Sequence, residues 1–271
     1  MWKTYGKLFL IQNWKKYIIV VLLIVVQCRF FQSNVEVFSR IANKTYEISI
    51  SDYIADFYRG TAPFAIHGSN ETFNIPPIWS LYFIYFFAVI SRFISRSFHK
   101  YESQLMLRCV TRKKWWRYQS LGIATEIMGY LMVTFLTFFL YAFFTGATVW
   151  GLDVGQQVWY SGIDLSQFSG LEFAANTVLI SFFVMMALAY LQYVISIKGN
   201  VVIGMIVPVI ILISSVFYKN PLLLCNYLML IRGKKLMPGG MNIWIGVLIC
   251  VLIVGFMYLL GRKLIEKKDL Y

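Results

Sequence analysis

Acid is scarce in this chain. Its 271 residues hold 12 Asp and Glu against 25 Lys and Arg, and charged residues reach only 14% in total, where an ordinary soluble domain carries about 25%. That shortage excludes a water-soluble globule. Groups for catalysis or metal binding are equally thin. The four cysteines, Cys28, Cys109, Cys225 and Cys250, are far apart and lack metal-ligand spacing, so they read as free thiols. There is no His-Glu-x-x-His pair, no Gly-x-Ser-x-Gly elbow and no cluster of acids within the apolar runs, which excludes a metalloprotease or a rhomboid-like hydrolase. No Gly-x-x-x-x-Gly-Lys-Ser/Thr is present either, so the chain has no P-loop with which to hydrolyse ATP. The expectation is therefore a protein that is not an enzyme, with no catalytic residue, no metal and no cofactor bound by the chain itself.

What is abundant is apolar surface: 59% of residues are hydrophobic and 18% aromatic. These residues come in blocks, and a block of about 20 is what an α-helix needs to cross a hydrocarbon core of about 30 Å. The period-2 alternation of a transmembrane barrel strand is missing. The reading is an all-α integral membrane protein of one domain over 1–271, with six transmembrane helices at about 16–31, 78–95, 121–146, 171–197, 201–218 and 243–261. The first is the weakest, because its unbroken apolar run ends at Val26 and Gln27 and Arg29 follow; Arg29 is expected to snorkel outward. Bulky Val25, Val26, Gln27 and Phe30 offer no small-residue cleavage site, which favours a retained anchor over a signal peptide.

Charge sets the topology, because Lys and Arg near span ends stay on the cytoplasmic side. With both termini inside, the cytoplasmic segments hold 17 of the 25 basic residues and three acids, Glu102, Glu266 and Asp269, while the outer segments hold eight of each sign. Orientation and anionic lipid account for the net +13 without nucleic acid. On this topology the two histidines, His67 and His99, fall on opposite sides of the membrane and share no site. The implied location is the plasma membrane of a bacterial cell, multi-pass.

Between the spans, Trp2, Tyr5, Leu8 and Phe9 recur at helical spacing among lysines, as in an interfacial helix over 1–15 or a plain basic anchor. An outer loop fills 32–77 and carries two glycosylation-like triplets at Asn43 and Asn70. A cytoplasmic segment at 97–120 places Leu105, Met106, Cys109 and Val110 on one side of a helix beginning near Glu102, followed by Arg112, Lys113, Lys114, Trp115, Trp116 and Arg117. This is the shape of a docking element; the alternative is an interfacial anchor, with the tryptophans at headgroup depth and the basic residues on lipid phosphate. The run 222–231, bracketed by Pro221 and Gly233, is too short to cross and reads as a re-entrant or interfacial helix before span six. Two polar residues fall inside spans, Glu126 and Gln192. An intramembrane carboxylate is a candidate site by default, whether it lines a cavity, pairs with Arg92 or Arg96, or sits neutral. Pro208 marks a kink in span five.

Assembled, the pattern resembles the membrane subunit of a type 2 ABC exporter, the permease class with the type V fold. The local match is Leu107-Arg108-Cys109-Val110-Thr111-Arg112-Lys113-Lys114-Trp115-Trp116, which is similar to the segment joining the coupling helix to span three in bacterial peptide-exporter and bacteriocin-immunity permeases. The chain departs from that family at 103–108, where no invariant motif sets the helix register. The resemblance implies a coupling helix at 102–110 seated in a groove of a separate ATP-binding subunit, which would carry ATP and Mg, and two permeases paired with two ATPases, the second permease being another copy of this chain. It also implies an amphipathic or hydrophobic peptide, such as a toxin or bacteriocin, as substrate. The competing reading is a non-transport assembly or immunity protein that binds its target without moving it.

Overall fold

The computed structural model describes residues 14–64, 75–97, 111–148 and 163–267. The expected interfacial helix over 1–15 lies almost wholly outside them. The described residues are helical apart from turns and two isolated bridges, Ser49 with Thr148 and Gly233 with Met241. They pack as two units, one drawn from Met1–Phe57 and Gly129–Leu165, the other from Tyr58–Met128 and Ser166–Tyr271.

The first unit is built on α1 (Lys15–Ala42) and α2 (Ile50–Tyr58). Helix α1 has 28 residues, about 42 Å at 1.5 Å per residue, and buries Val20, Ile24, Cys28, Phe31 and Val35 along one face. It runs eleven residues past the expected end at Phe31 and stops where Asn43 takes the left-handed conformation that terminates helices. Helix α2 falls inside the expected outer loop. Ser49 and Asp52 start it by reciprocal capping: Ser49 N–H and Oγ donate to Asp52 Oδ2 at 2.8 Å each, and Asp52 N–H donates back to Ser49 Oγ at 3.4 Å. The second half of α4 (Arg112–Thr145) completes this unit. Aromatic edges lock the three helices, with Tyr53 against Phe31 at 5.5 Å and Tyr141 at 5.4 Å, and Phe57 against Phe138 at 5.7 Å. Gln27 Nε2 donates to Asp56 at 2.6 Å and Tyr141 Oη to Gln32 at 3.1 Å.

The second unit holds α3 (Pro77–Ser97), the first half of α4, α5 (Gly170–Lys198), α6 (Val201–Phe217) and α7 (Ile243–Lys267). Helix α5 is its centre and packs against α3, α6 and α7. A capping box of Ser169 and Glu172 starts α5, and a π-helical stretch, Ala175–Leu179, interrupts it. Gly199 and Asn200 alone link α5 to α6, and Asn200 caps α6 by accepting from Ile203 N–H at 2.8 Å. The two helices approach closely because Gly204 has no side chain: a Cβ there would fall 2.7 Å from the Gln192 carbonyl.

Helices α1, α3, α4, α5 and α7 are long and apolar enough to cross a bilayer, while α6 is an apolar helix of 17 residues, at the short end of the range for a span. An all-α membrane protein is the fold class. The run 222–231 differs from the helix expected there. It forms two 3-10 turns, Leu224–Leu228 and Leu230–Arg232, separated by an extended Met229. Asn226 diverts the chain, its side-chain amide donating to the Tyr218 and Asn220 carbonyls at 3.0 Å each, a competition that Asn wins over helical hydrogen bonding.

Candidate functional site

The expected coupling residues, Glu102, Leu105, Met106, Cys109 and Val110, lie outside the described residues. The chain re-enters at Thr111, which caps α4: its Oγ1 accepts from Lys114 N–H at 3.3 Å. The basic aromatic block is thus the first two turns of α4. Arg112, Lys113, Lys114 and Arg117 are exposed, and Trp115 and Trp116 are buried. Trp116 donates from Nε1 to the Tyr258 carbonyl at 3.0 Å and lies among the rings of Tyr193, Tyr258 and Tyr190, at 5.2, 6.1 and 6.4 Å. Gly261 makes room for it, since a Cβ there would meet the indole at 2.4 Å. A polar clasp lies outside this cage. Arg112 Nη1 donates to the Glu266 carbonyl at 2.8 Å, and the Glu266 carboxylate meets Arg262 at 3.2 Å and Lys113 at 3.8 Å. The start of α4 and the end of α7 are therefore joined by an aromatic core and a charged rim. Glu266 and Tyr258 carried no sequence signal for this role, because their partners on α4 lie 154 and 142 residues away.

Both intramembrane polar residues are buried, Glu126 at 3% exposure and Gln192 at 0%. Gln192 Nε2 donates to the Phe87 carbonyl at 2.9 Å and to Ser91 Oγ at 2.7 Å, so it clamps α5 to α3. Its Oε1 has no partner among the described residues.

A third polar construction, at Arg232, was not singled out by sequence. The Arg232 side chain is fully buried. Nε donates to the Thr61 carbonyl at 2.8 Å, Nη2 to the Val216 carbonyl at 2.7 Å, and Nη1 to the Tyr218 carbonyl at 3.2 Å, to the Ser215 carbonyl and to Asn226 Oδ1. These include orphan carbonyls from the last turn of α6. The remaining ones are met by backbone: Tyr218 N–H reaches Ser214 O at 2.9 Å and Phe64 N–H reaches Phe217 O at 3.0 Å. Burial pushes the guanidinium pKa down to about 10, far enough above neutrality for the cation to persist, and the negative pole of α6 favours it. The signal for this site was two polar residues, Asn226 and Arg232, at the heart and end of an apolar run.

Among the described residues no three His, Cys, Asp or Glu side chains gather to hold a metal ion. Cys28, Cys225 and Cys250 are buried and free. Among the described residues the arrangement offers joints between helices, at Trp116, Gln192 and Arg232. Compared with known proteins, the chain matches no family model, no curated protein and no solved structure.

Proposed function

We propose that this chain is the permease subunit of an ATP-driven exporter, working with a separate ATP-binding subunit and moving amphipathic or hydrophobic peptides. The observation that carries the reading is the joint at the base of the 98–110 segment. That segment leads directly into α4, whose first two turns are fastened to α7 through Trp116, Arg112 and Glu266. A force applied by a docked subunit at 102–110 would reach two membrane helices together, as a rocking permease requires. The apolar outer face of α7, with Trp244, Leu248, Leu252 and Phe256 exposed, is available to lipid or to a second copy of the chain.

The test is a mild-detergent pull-down of the tagged chain with the products of neighbouring genes, followed by an ATPase assay. A stoichiometric P-loop partner with vanadate-sensitive turnover is the expected result. Leu105→Asp or Met106→Asp should then uncouple turnover from transport while the protein still inserts, because an acid on the docking face would be buried without a partner. An ATPase-free oligomer would instead favour the assembly or immunity protein, and transport unchanged by both substitutions would remove the coupling assignment.

A further inference from the structure

We propose that the ends of α4 and α7 form a seat for the headgroup of an anionic phospholipid. The inference rests on the membrane assignment alone and is independent of the exporter reading. Helix α4 opens with Arg112, Lys113 and Lys114 and has no acid in its first turn. Those three cations stand at the positive pole of a 34-residue helix, an arrangement that disfavours itself unless an anion is present. From α7 comes one carboxylate, Glu266, and it is already shared by Arg262 at 3.2 Å and Lys113 at 3.8 Å. Of the basic residues in the first two turns of α4 and the last two of α7, Lys113 and Arg262 meet the Glu266 carboxylate, while Lys114, Arg117 and Lys263 are exposed cations close by in sequence. The Lys113 side chain is 54% exposed and Arg262 is 38% exposed, so both are accessible to a ligand.

The ligand is a lipid rather than a soluble anion because of what adjoins the charge. On α4 the exposed face continues from Lys114 and Arg117 into Tyr118, Leu121 and Met128, and on α7 it continues from Lys263 back into Leu259 and Phe256. Phosphate would rest on the cations while an acyl chain follows the apolar stripes. The Trp116 cage holds the two helix ends together before the lipid arrives, so little ordering is needed on binding.

The experiment is native mass spectrometry of the purified full chain, extracted from bilayers of phosphatidylglycerol and phosphatidylcholine in equal parts. Phosphatidylglycerol should be retained over phosphatidylcholine by about tenfold, the order expected when one or two basic contacts discriminate. Arg112→Gln with Arg262→Gln should abolish the preference, and Arg112→Lys with Arg262→Lys should keep most of it. Because Arg112 and Arg262 also brace the fold, Lys114→Gln with Lys263→Gln is the second variant. These side chains are exposed and make no hydrogen bond or ion pair among the described residues, and their loss should weaken the preference in a normally folded protein. Equal retention of the two lipids, a preference unchanged in both Gln variants, or displacement of the lipid by millimolar inorganic phosphate would overturn the proposal.

Discussion

Arg232 gathers more of the fold than any other single side chain described. Its guanidinium holds the end of α6, the Thr61 backbone and the first 3-10 turn together, and no carboxylate shares the site among the described residues. The fork geometry of Arg suits this task and a point cation does not. Arg232→Met keeps the volume but orphans four carbonyls, so it should destabilise by about 3 kcal/mol or more. Arg232→Lys should recover only part of that. Thermal unfolding in detergent, followed by tryptophan fluorescence, reads both; a midpoint equal to wild type in the Met variant would show that the carbonyls find other donors. The neighbouring Gly60 is under a different constraint. It sits at φ +70°, and a Cβ there would come within 2.5 Å of the Met229 side chain, so both backbone and space select glycine.

Among the elements, α4 depends most on one contact, the Trp116 cage against α7. Gly261→Ala would drive a methyl into the indole, at 2.4 Å from Cζ2, and Trp116→Phe shrinks the obstacle while losing the bond to Tyr258. The two substitutions should therefore be non-additive, with a coupling of about 0.5 to 3 kcal/mol that makes the double variant more stable than the sum of the singles. A simple sum would mean that the helices separate without cost. How much of these elements the sequence announced depends on what ends them. Helices α3 and α5 lie within two residues of their expected spans because charge bounds their apolar runs, as at Arg96 and Lys198, whereas α7 starts at the expected Ile243 and runs six residues past Gly261, through Arg262 and Glu266 to Lys267. Helix α1 overran because an apolar-run rule finds the edge of the hydrocarbon, whereas the helix ends at its left-handed Asn43. Helix α4 began nine residues before the expected Leu121, because the basic block has good helix formers and a Thr111 cap as well as charge. The α4–α7 joint was not legible, since it arises from contacts between distant segments; the Arg232 site left its trace in Asn226 and Arg232, while its backbone partners, Thr61 above all, gave none. Glu126 and Gln192 were legible as polar residues in apolar helices, and the structure buries both.

Over the whole molecule, the uneven distribution of charge is the property that sets orientation. Seventeen of 25 basic residues lie in the segments assigned to the cytoplasm, yet Lys219, Arg232, Lys234 and Lys235 lie together in the 218–242 loop on the nominal outer side. The fold weakens that objection. Arg232 is fully buried, with its charge spent on carbonyls, and Lys235 is neutralised by Glu172 at 2.6 Å, so only Lys219 and Lys234 remain to oppose the larger bias. Each basic residue near a span end adds to a preference for the inside, and these two, together with Arg29, Arg40, Lys44 and Arg59, are outnumbered by the 17 at the other face. Single cysteines test this directly, because native Cys28, Cys225 and Cys250 are buried and therefore silent to a charged maleimide once Cys109 is replaced by Ser. Lys234→Cys, exposed in the 218–242 loop, should label in intact cells. Lys198→Cys, exposed at the end of α5, should label only after the membrane is opened. Labelling of Lys198→Cys from outside, with Lys234→Cys protected, would invert the chain and put the basic end of α4 and α7 on the outer face, where a cytoplasmic ATPase could not reach it. Labelling of both from one side would mean that α6 does not cross at all, leaving five spans.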